Sequence, residues 1–275
     1  MAKEKKREGV DPKRSMRLLW RLELSPRRGP KPSLSIDAIV SAAIDIADDE
    51  GVDAISMRRL GERLGTGTMT LYTYVPAKSD LLDLMYDRVV GEHEVSFPED
   101  ATLRERMEIL ARGQWDLHQR HHWIAHMPWT RVPLGPNVLD AYERAISAVH
   151  GVGLSGREMN EVLTLISSYV HGAARLAIEA ITLPSTTSID DTEWWAGVSP
   201  VLEEIWDPRR FPMLSSPQMA QAWDQAVEGE DYLLAGIVNS FEFGLARVLD
   251  GIEAFIQRRS RSTIGAAGDD PIPHG

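Results

Sequence analysis

The 275-residue chain contains no cysteine. This absence excludes disulfide bonds and thiolate chemistry, and it is typical of proteins in the reducing cytoplasm. No apolar run approaches the roughly 18 residues of a membrane span, so we expect no membrane partner. The N-terminus is basic but lacks the apolar stretch of a signal peptide, and the expected location is therefore the cytoplasm.

The chain also lacks a pair of segments with strand character, because its strong apolar patterns follow helical spacing. This predicts an all-α protein with an N-terminal three-helix helix-turn-helix domain and a larger C-terminal helical domain. Four regions are expected: a basic, partly disordered arm at 1–33, a DNA-binding domain at 34–94, a ligand-binding and dimerisation domain at 95–259 and a disordered tail at 260–275. Helices are predicted at 11–24, from near Ser35 to Gly51 and at 79–94, and beyond these at 102–121, 136–150, 156–182, 189–206, 217–228 and 230–259.

The net charge of −11 opposes DNA binding when it is considered as a whole. Its distribution is uneven, because residues 1–33 hold eleven Lys/Arg and four Asp/Glu, a net +7, which leaves −18 for residues 34–275. Non-specific DNA affinity depends on local phosphate neutralisation, which this arm can supply. The alternative is a solvated tail that has no role in binding.

The segment SMRRLGERLGTGTMTLYTYVPAK, residues 56–78, has the pattern of a helix, a glycine-containing turn and a short second helix. Met57 and Leu64 lie on one apolar face, and Gly65 follows where a helix end usually needs a positive φ. Thr68 is expected to cap the second helix with its side-chain oxygen. A second helix of this kind enters the major groove of DNA.

Together with the preceding AIVSAAIDIADDEGVDAIS, this segment resembles the N-terminal domain of the TetR family of bacterial transcriptional regulators, over 34–94 without a gap. RHHWIAHMPWTRVPLGPN, SSYVHGAARLAIEA and FEFGLARVLDGIEAFI resemble the tetracycline-repressor type of C-terminal domain, which extends the resemblance to 259. The resemblance implies a ligand-responsive regulator, a repressor that a small-molecule inducer releases from its palindromic operator. Two departures are Ala77, where the family often has a capping Asn or Asp, and the long basic arm.

By this resemblance, the residues that face double-stranded DNA are Arg58, Gly67, Thr68, Met69, Thr70, Tyr72, Thr73, Tyr74 and Lys78. Their chemistry agrees, because the Arg58 guanidinium can fork onto guanine O6 and N7, and Thr68 and Thr73 suit base edges. The remaining polar side chains suit phosphates, although Tyr72 can equally be a packing residue. The neighbouring Arg59 and Arg63 are expected to face solvent or pair with carboxylates of adjacent helices.

The second half of the chain is rich in Trp and His, and an apolar cavity with a few polar groups is the usual form of a small-molecule site. The candidate ligand-binding residues are Trp115, His118, His122, Trp123, Trp129, His171, Arg175 and Trp194. Each aromatic residue can alternatively be a core residue. His118, His122 and His126 would share a face if one helix continued through them, but no Asp, Glu or Cys among them completes a metal site. We therefore expect no metal and no cofactor.

Segments 156–182 and 230–259 have the length and patterning of a dimer interface, and in the family they form a four-helix bundle between two subunits. The alternative is an intramolecular bundle, but a homodimer supplies the two-fold symmetry that two operator half-sites require. Another possible function is a helical ligand- or protein-binding module that has lost operator recognition. An enzyme is not expected, since no nucleophile–base pairing, phosphate loop or metal signature stands out.

Overall fold

The computed structural model describes residues 11–22, 34–92, 95–127, 131–219 and 232–266. The regular elements in these ranges are all helical, which confirms the predicted all-α class. The helices are α1 (Pro12–Leu19), α2 (Ile36–Glu50), α3 (Met57–Leu64), α4 (Thr68–Tyr74), α5 (Lys78–Val90), α6 (Leu103–Arg120), α7 (Pro136–Val149), α8 (Gly156–Thr187), α9 (Asp191–Ile205) and α10 (Tyr232–Ala266). Short 3₁₀ segments occupy Val52–Ala54 and His122–His126.

The turn between α3 and α4 depends on two glycines. Gly65 ends α3 with φ 64°, in the left-handed region that favours glycine. Gly61 lies so close to the turn that an added Cβ would be 2.7 Å from the carbonyl oxygen of Thr66. The prediction that Thr68 caps α4 is wrong: Gly67 is the N-cap residue with extended dihedrals, and Thr68 is already the first helical residue.

Helices α2 to α5 share one apolar core. Ser35 caps α2 by accepting the Ala38 N–H at 3.1 Å. Ala77 precedes α5 without a side-chain cap, because a methyl group cannot accept a hydrogen bond. The core also receives residues from outside this domain, namely Leu19 of α1 and the segment Leu117–Ile124 around the end of α6. The N-terminal and C-terminal halves therefore share buried surface.

A second core joins α6, α7, α8 and α10. Met107, Ile166, Val170, Phe241 and Leu245 are buried in it. Helix α6 begins with a capping box, in which the Glu105 carboxylate accepts the Thr102 N–H at 2.7 Å and Thr102 in turn accepts the Glu105 N–H. Of the candidate ligand-binding residues of α6 and α8, Trp115 packs against this core.

The ends of the chain differ from the sequence-based expectation. The helix expected within 11–24 is present as α1, and it packs on α5 rather than standing apart as an arm. Helix α10 continues to Ala266, into the segment for which disorder was predicted, because residues 260–264 contain neither glycine nor proline to stop it. Residues 1–10, 23–33 and 267–275 lie outside the described residues, as does most of the helix predicted at 217–228.

Candidate DNA-binding surface and ligand-binding region

Helix α4 has one buried face and one exposed face. Leu71 and the following Val75 are fully buried, while Met69 is 77% exposed, and Thr70 and Thr73 are also exposed. The Thr73 hydroxyl donates to the carbonyl oxygen of Thr70 at 2.6 Å, which fixes its position on the helix. The exposed face is a row of small polar and flexible apolar side chains, which suits contacts with base edges in a groove.

The other DNA-facing candidates border this face. Gly67 is exposed, Tyr72 is 45% exposed, and Thr68 is half-buried. Tyr74 packs partly against the N-terminal core, so a part of its ring serves the fold. The exposure of Tyr72 thus favours a DNA contact over a packing role, whereas Tyr74 is partly a packing residue and partly accessible.

Two cations flank α4. The Arg58 side chain on α3 is 84% exposed and lies 3.7 Å from Glu62, one turn further along the helix. Lys78, the first residue of α5, donates from Nζ to the carbonyl oxygen of Val52 at 3.3 Å. An exposed ion pair of this length is weak, so it does not prevent Arg58 from contacting DNA.

The neighbouring arginines have structural partners. Arg63 of α3 pairs with Asp45 of α2 at 3.1 Å, and Arg59 pairs with Glu50. This confirms the expected ion pairs, and it distinguishes these arginines from Arg58, which pairs with Glu62 of its own helix.

In the C-terminal domain, two histidines meet between α6 and α8. His118 is 2% exposed, its Nδ1 lies 2.8 Å from the carbonyl oxygen of Gln114, and its Nε2 lies 3.3 Å from Nδ1 of His171. A carbonyl oxygen can only accept, so Nδ1 of His118 is the donor and its Nε2 accepts from His171. Burial lowers the pKa of His118 to about 4, and burial followed by the charge of Arg175 lowers the pKa of His171. Both rings are therefore neutral at pH 7.

Aromatic rings pack against one another between α6, α8 and α10. Trp115, half-buried on α6, stacks on Phe241 with ring centroids 4.1 Å apart and an interplanar angle of 17°. The Tyr169 hydroxyl of α8 donates to the carbonyl oxygen of Phe241 at 2.9 Å. Gly244 permits this approach, because an added Cβ would lie 2.2 Å from the Tyr169 hydroxyl oxygen.

The structure brings His118 and His171 together, and Arg175 is exposed one turn beyond His171. Trp115 lies three residues before His118 on α6 and stacks on Phe241 of α10. Trp123 lies elsewhere: it is 1% exposed in the N-terminal core, and its Nε1 donates to Asp48 at 2.8 Å. Trp194 is exposed on α9, where it meets Trp195 edge-to-face. Trp129 lies outside the described residues.

The three histidines His118, His122 and His126 do not share one helical face, because the helix does not continue through them. Helix α6 ends at Arg120, and His121 turns the chain with φ −127° and ψ 75° into the 3₁₀ segment. His122 is half-buried and His126 is exposed, so neither continues the face of His118. Within the described ranges, no group of three His, Asp or Glu side chains is placed to hold a metal ion.

His121 is an important residue that the sequence-based list omitted. Its ring is buried between two carboxylates, with Nδ1 2.9 Å from Asp48 of α2 and Nε2 3.1 Å from Glu92 after α5. It thereby ties the end of α6 to two elements of the DNA-binding domain. No local sequence signal could identify this contact, because the partners are 73 and 29 residues away.

A second contact between the domains is made by Asp87 of α5. Its buried carboxylate accepts the Val138 N–H and the Asn137 side-chain N–H of α7, both at 3.0 Å. Asp87 thus caps α7 from another helix. Burial raises its pKa, and the hydrogen bonds from Val138 and Asn137 oppose that shift.

The exposed apolar faces of α8 and α10 bear on assembly. Many residues expected at a dimer interface, among them Ile166, Leu245 and Leu249, are buried within the chain itself. Leu165, Phe243 and Phe255 remain exposed on the outer faces of the same helices. Among the described helices, none is long and apolar enough to cross a membrane.

Comparison with known proteins gives matches along most of the chain. The model of the family "Bacterial regulatory proteins, tetR family" matches residues 39–85, and that of the "Tetracyclin repressor-like, C-terminal domain" matches residues 95–256. The chain is 38% identical over 251 residues to the HTH-type transcriptional repressor DrrR1 of Streptomyces coeruleorubidus, covering 90% of this chain and 88% of that relative. It is 30% identical over 212 residues to an HTH-type transcriptional regulator of Saccharopolyspora erythraea, covering 75% and 86%. The crystal structure of the Streptomyces coelicolor TetR family protein ActR in complex with actinorhodin is similar, with a TM-score of 0.62, 28% identity and coverage of 83% and 99%.

Proposed function

Because the chain belongs to the tetR family of bacterial regulatory proteins and is a ligand-responsive, DNA-binding transcriptional repressor, we propose the following roles for its two domains. Two subunits place their α4 helices in successive major grooves of a palindromic operator, and a small molecule in the C-terminal domain releases them. The observation that carries the proposal is the amphipathic α4, whose Leu71 is buried while Met69 and Thr70 face solvent.

For DNA reading we assign base contacts to Arg58, Thr68 and Thr73, and an apolar contact to Met69. Gly67 allows the backbone to approach the DNA closely, and the phosphate contacts fall to Thr70, Tyr72, Tyr74 and Lys78. The exposure of Arg58 and Lys78 on both sides of α4 supports this division.

The basic arm adds to this surface. Helix α1 starts beside Asp80, because the Ser15 hydroxyl donates to that carboxylate at 2.6 Å, and Asp80 is two residues after Lys78. The chain ahead of α1, with Lys3, Lys5, Lys6 and Arg7, therefore originates at the DNA-facing end of α5. We place these cations against the DNA backbone or in the adjacent minor groove.

We further propose a homodimer formed by the outer faces of α8 and α10. The exposed Leu165, Phe243 and Phe255 support it, since exposed apolar side chains along two long helices favour a partner. Two-fold symmetry then matches the two half-sites of the operator. The cytoplasm, where the operator DNA is found, is the expected location, and no catalytic role is proposed.

The inducer site is assigned to the region between α6, α8 and α10 around Trp115, His118 and His171. Two neutral imidazoles beside stacked aromatic rings suit a largely apolar ligand that carries a few polar groups. The complex of ActR with actinorhodin supports a small molecule in a related C-terminal domain. Release requires that the ligand favour a conformation in which the α4 helices no longer match the operator, and a nearly complete switch needs roughly 10⁴-fold differential affinity.

The structure offers a route from this site to the DNA. His118 lies on α6, and three residues further His121 contacts Asp48 of α2 and Glu92 after α5. A shift of α6 on ligand binding therefore acts directly on two elements of the DNA-binding domain.

The DNA assignment is tested by fluorescence anisotropy with DNA from upstream of the chain's own gene. We expect Arg58→Ala to weaken specific binding by about 1–3 kcal/mol and to relax the preference at one base pair. Arg157→Ala is the matched control, because Arg157 is an 88% exposed arginine that also pairs with a glutamate one turn along its helix. Unchanged selectivity in Arg58→Ala would contradict the base contact. If the wild type had no sequence preference at all, the chain would instead be a binding module that has lost operator recognition.

A further inference from the structure

Helix α1 precedes the region matched by either family model, yet it is firmly attached to the DNA-binding domain. Ser15 is buried and donates to Asp80 of α5 at 2.6 Å, and Arg14 pairs with the same carboxylate at 3.2 Å. Leu19 is 5% exposed and belongs to the core of α2 to α5. A buried hydroxyl–carboxylate bond beside an apolar anchor is a specific docking contact.

The C-terminal end of the same helix reaches the other domain. The indole N–H of Trp20 donates to the carbonyl oxygen of Leu134 at 2.9 Å, in the loop that leads into α7. The next residue, Arg21, pairs with Asp37 of α2 at 2.9 Å. Within one short segment, α1 thus contacts α5, α2 and the loop before α7.

The junction below α1 is not tightly filled. A cavity of about 170 Å³ is bordered by Leu19, Arg21, Val40, Leu84, Asp87 and Asn137. The cavity opens to solvent, so packed side chains do not join α1, α5 and α7 at this point. The polar bonds of α1 and the Asp87 cap are among the contacts that hold the two domains together at this junction.

We propose that α1 is a strap that holds the DNA-binding domain against the C-terminal domain and has to loosen when the two domains rearrange. The proposal rests on the proposed function, because it regulates the movement by which the repressor leaves its operator. Its two ends are fixed on different domains, at Asp80 and at Leu134. Any rotation that separates these points must break the Ser15 bond or the Trp20 bond.

Amide hydrogen exchange on the full chain, without DNA or inducer, tests the strap. Trp20→Phe removes the bond to Leu134 but keeps an aromatic ring, and Ser15→Ala removes the bond to Asp80. Each variant loses one hydrogen bond. The loss should make amide exchange about fivefold faster wherever the amide exchanges through local opening of that region. We expect that acceleration in α1 and also in the loop 131–135, at the Val138 amide and at the end of α5.

Two controls remove the same groups elsewhere. Trp206→Phe deletes an indole bond to Ser215 (3.0 Å), and Ser199→Ala deletes a hydroxyl bond to the Trp195 carbonyl oxygen (2.8 Å). Neither should accelerate exchange at the domain junction. The strap is refuted if both test variants accelerate exchange in α1 alone, or nowhere, since α1 would then be a passive attachment. The exchange experiment contains no DNA, so refutation of the strap would not contradict the repressor function. In the same way, a failure to bind DNA would not contradict the strap.

Discussion

Replacement of Asp87 by alanine should destabilise the chain by removing the cap that α5 provides for α7. The carboxylate accepts two hydrogen bonds of 3.0 Å, from Val138 N–H and from the Asn137 side chain, and it fills the space beside Gly135, where an added Cβ would lie 2.1 Å from Asp87 Oδ1. A helix cap alone contributes about 1 kcal/mol, and hydrogen bonds to a charged group contribute about 1.5–3 kcal/mol each.

The cost of burying the Asp87 charge reduces this gain, as the raised pKa of the carboxyl group indicates. The expected net loss in Asp87→Ala is therefore about 2–3 kcal/mol in the free energy of unfolding, or about 3–5 °C in Tm for a chain of this size.

Urea unfolding at one fixed protein concentration measures this loss, since the proposed dimer would couple stability to concentration. Asp140→Ala is the matched control: it removes an exposed aspartate from the same helix α7, and it should change the unfolding free energy by less than about 0.5 kcal/mol. A double substitution with Asn137→Ala should be non-additive, because the two side chains share a bond. If Asp87→Ala were as stable as Asp140→Ala, the contact between α5 and α7 would not support the fold as described.

Three other outcomes are expected. Burial, followed by the charge of Asp80, raises the pKa of Asp83 to about 6, so the folded chain holds this proton more tightly than the unfolded chain. Stability should then fall as pH rises from about 4 to 6, and Asp83→Asn should abolish that part of the pH dependence in urea unfolding; an unchanged profile would contradict it. Lys78→Ala should weaken binding to all DNA sequences alike and lower the slope of log affinity against log salt by roughly one unit. If it weakened binding to the operator alone, Lys78 would be a base contact instead. His171→Ala should weaken release of DNA by compounds that release the wild type in an inducer screen, and equal potency on both proteins would move the inducer site away from the histidine pair.

The local features of the helix-turn-helix could be predicted from the sequence because they depend on neighbouring residues. Helical spacing and the position of Gly65 place α3 and α4 within one or two residues, and the burial of Leu71 against the exposure of Met69 follows from the same spacing. The predicted N-cap of α4 was wrong because threonine has a higher N-cap propensity than glycine. The turn between α3 and α4 is only three residues long, so the helix already begins at Thr68 and Gly67 takes the N-cap position.

The non-local contacts could not be predicted. Trp123 and His121 both contact Asp48, more than 70 residues earlier, and a single sequence does not indicate such pairs. The end of α6 at Arg120 lies within one residue of the predicted end at 121, and it leaves His118, His122 and His126 on no common helical face. His118 and His171 were both predicted as ligand-binding residues, but their contact was not predicted. The packing of α6 on α8 decides which histidines meet.

The central claim, a repressor whose two α4 helices read a palindromic operator, is tested most directly by hydroxyl-radical footprinting on DNA upstream of the chain's own gene. The account predicts two protected half-sites of related sequence, with centres about one helical turn apart, that persist in an excess of unrelated DNA. We also expect both half-sites to lose protection together in Arg58→Ala at a protein concentration that just protects them in the wild type, and to regain it at higher concentration. Uniform protection that unrelated DNA removes, or a single protected site, would contradict it.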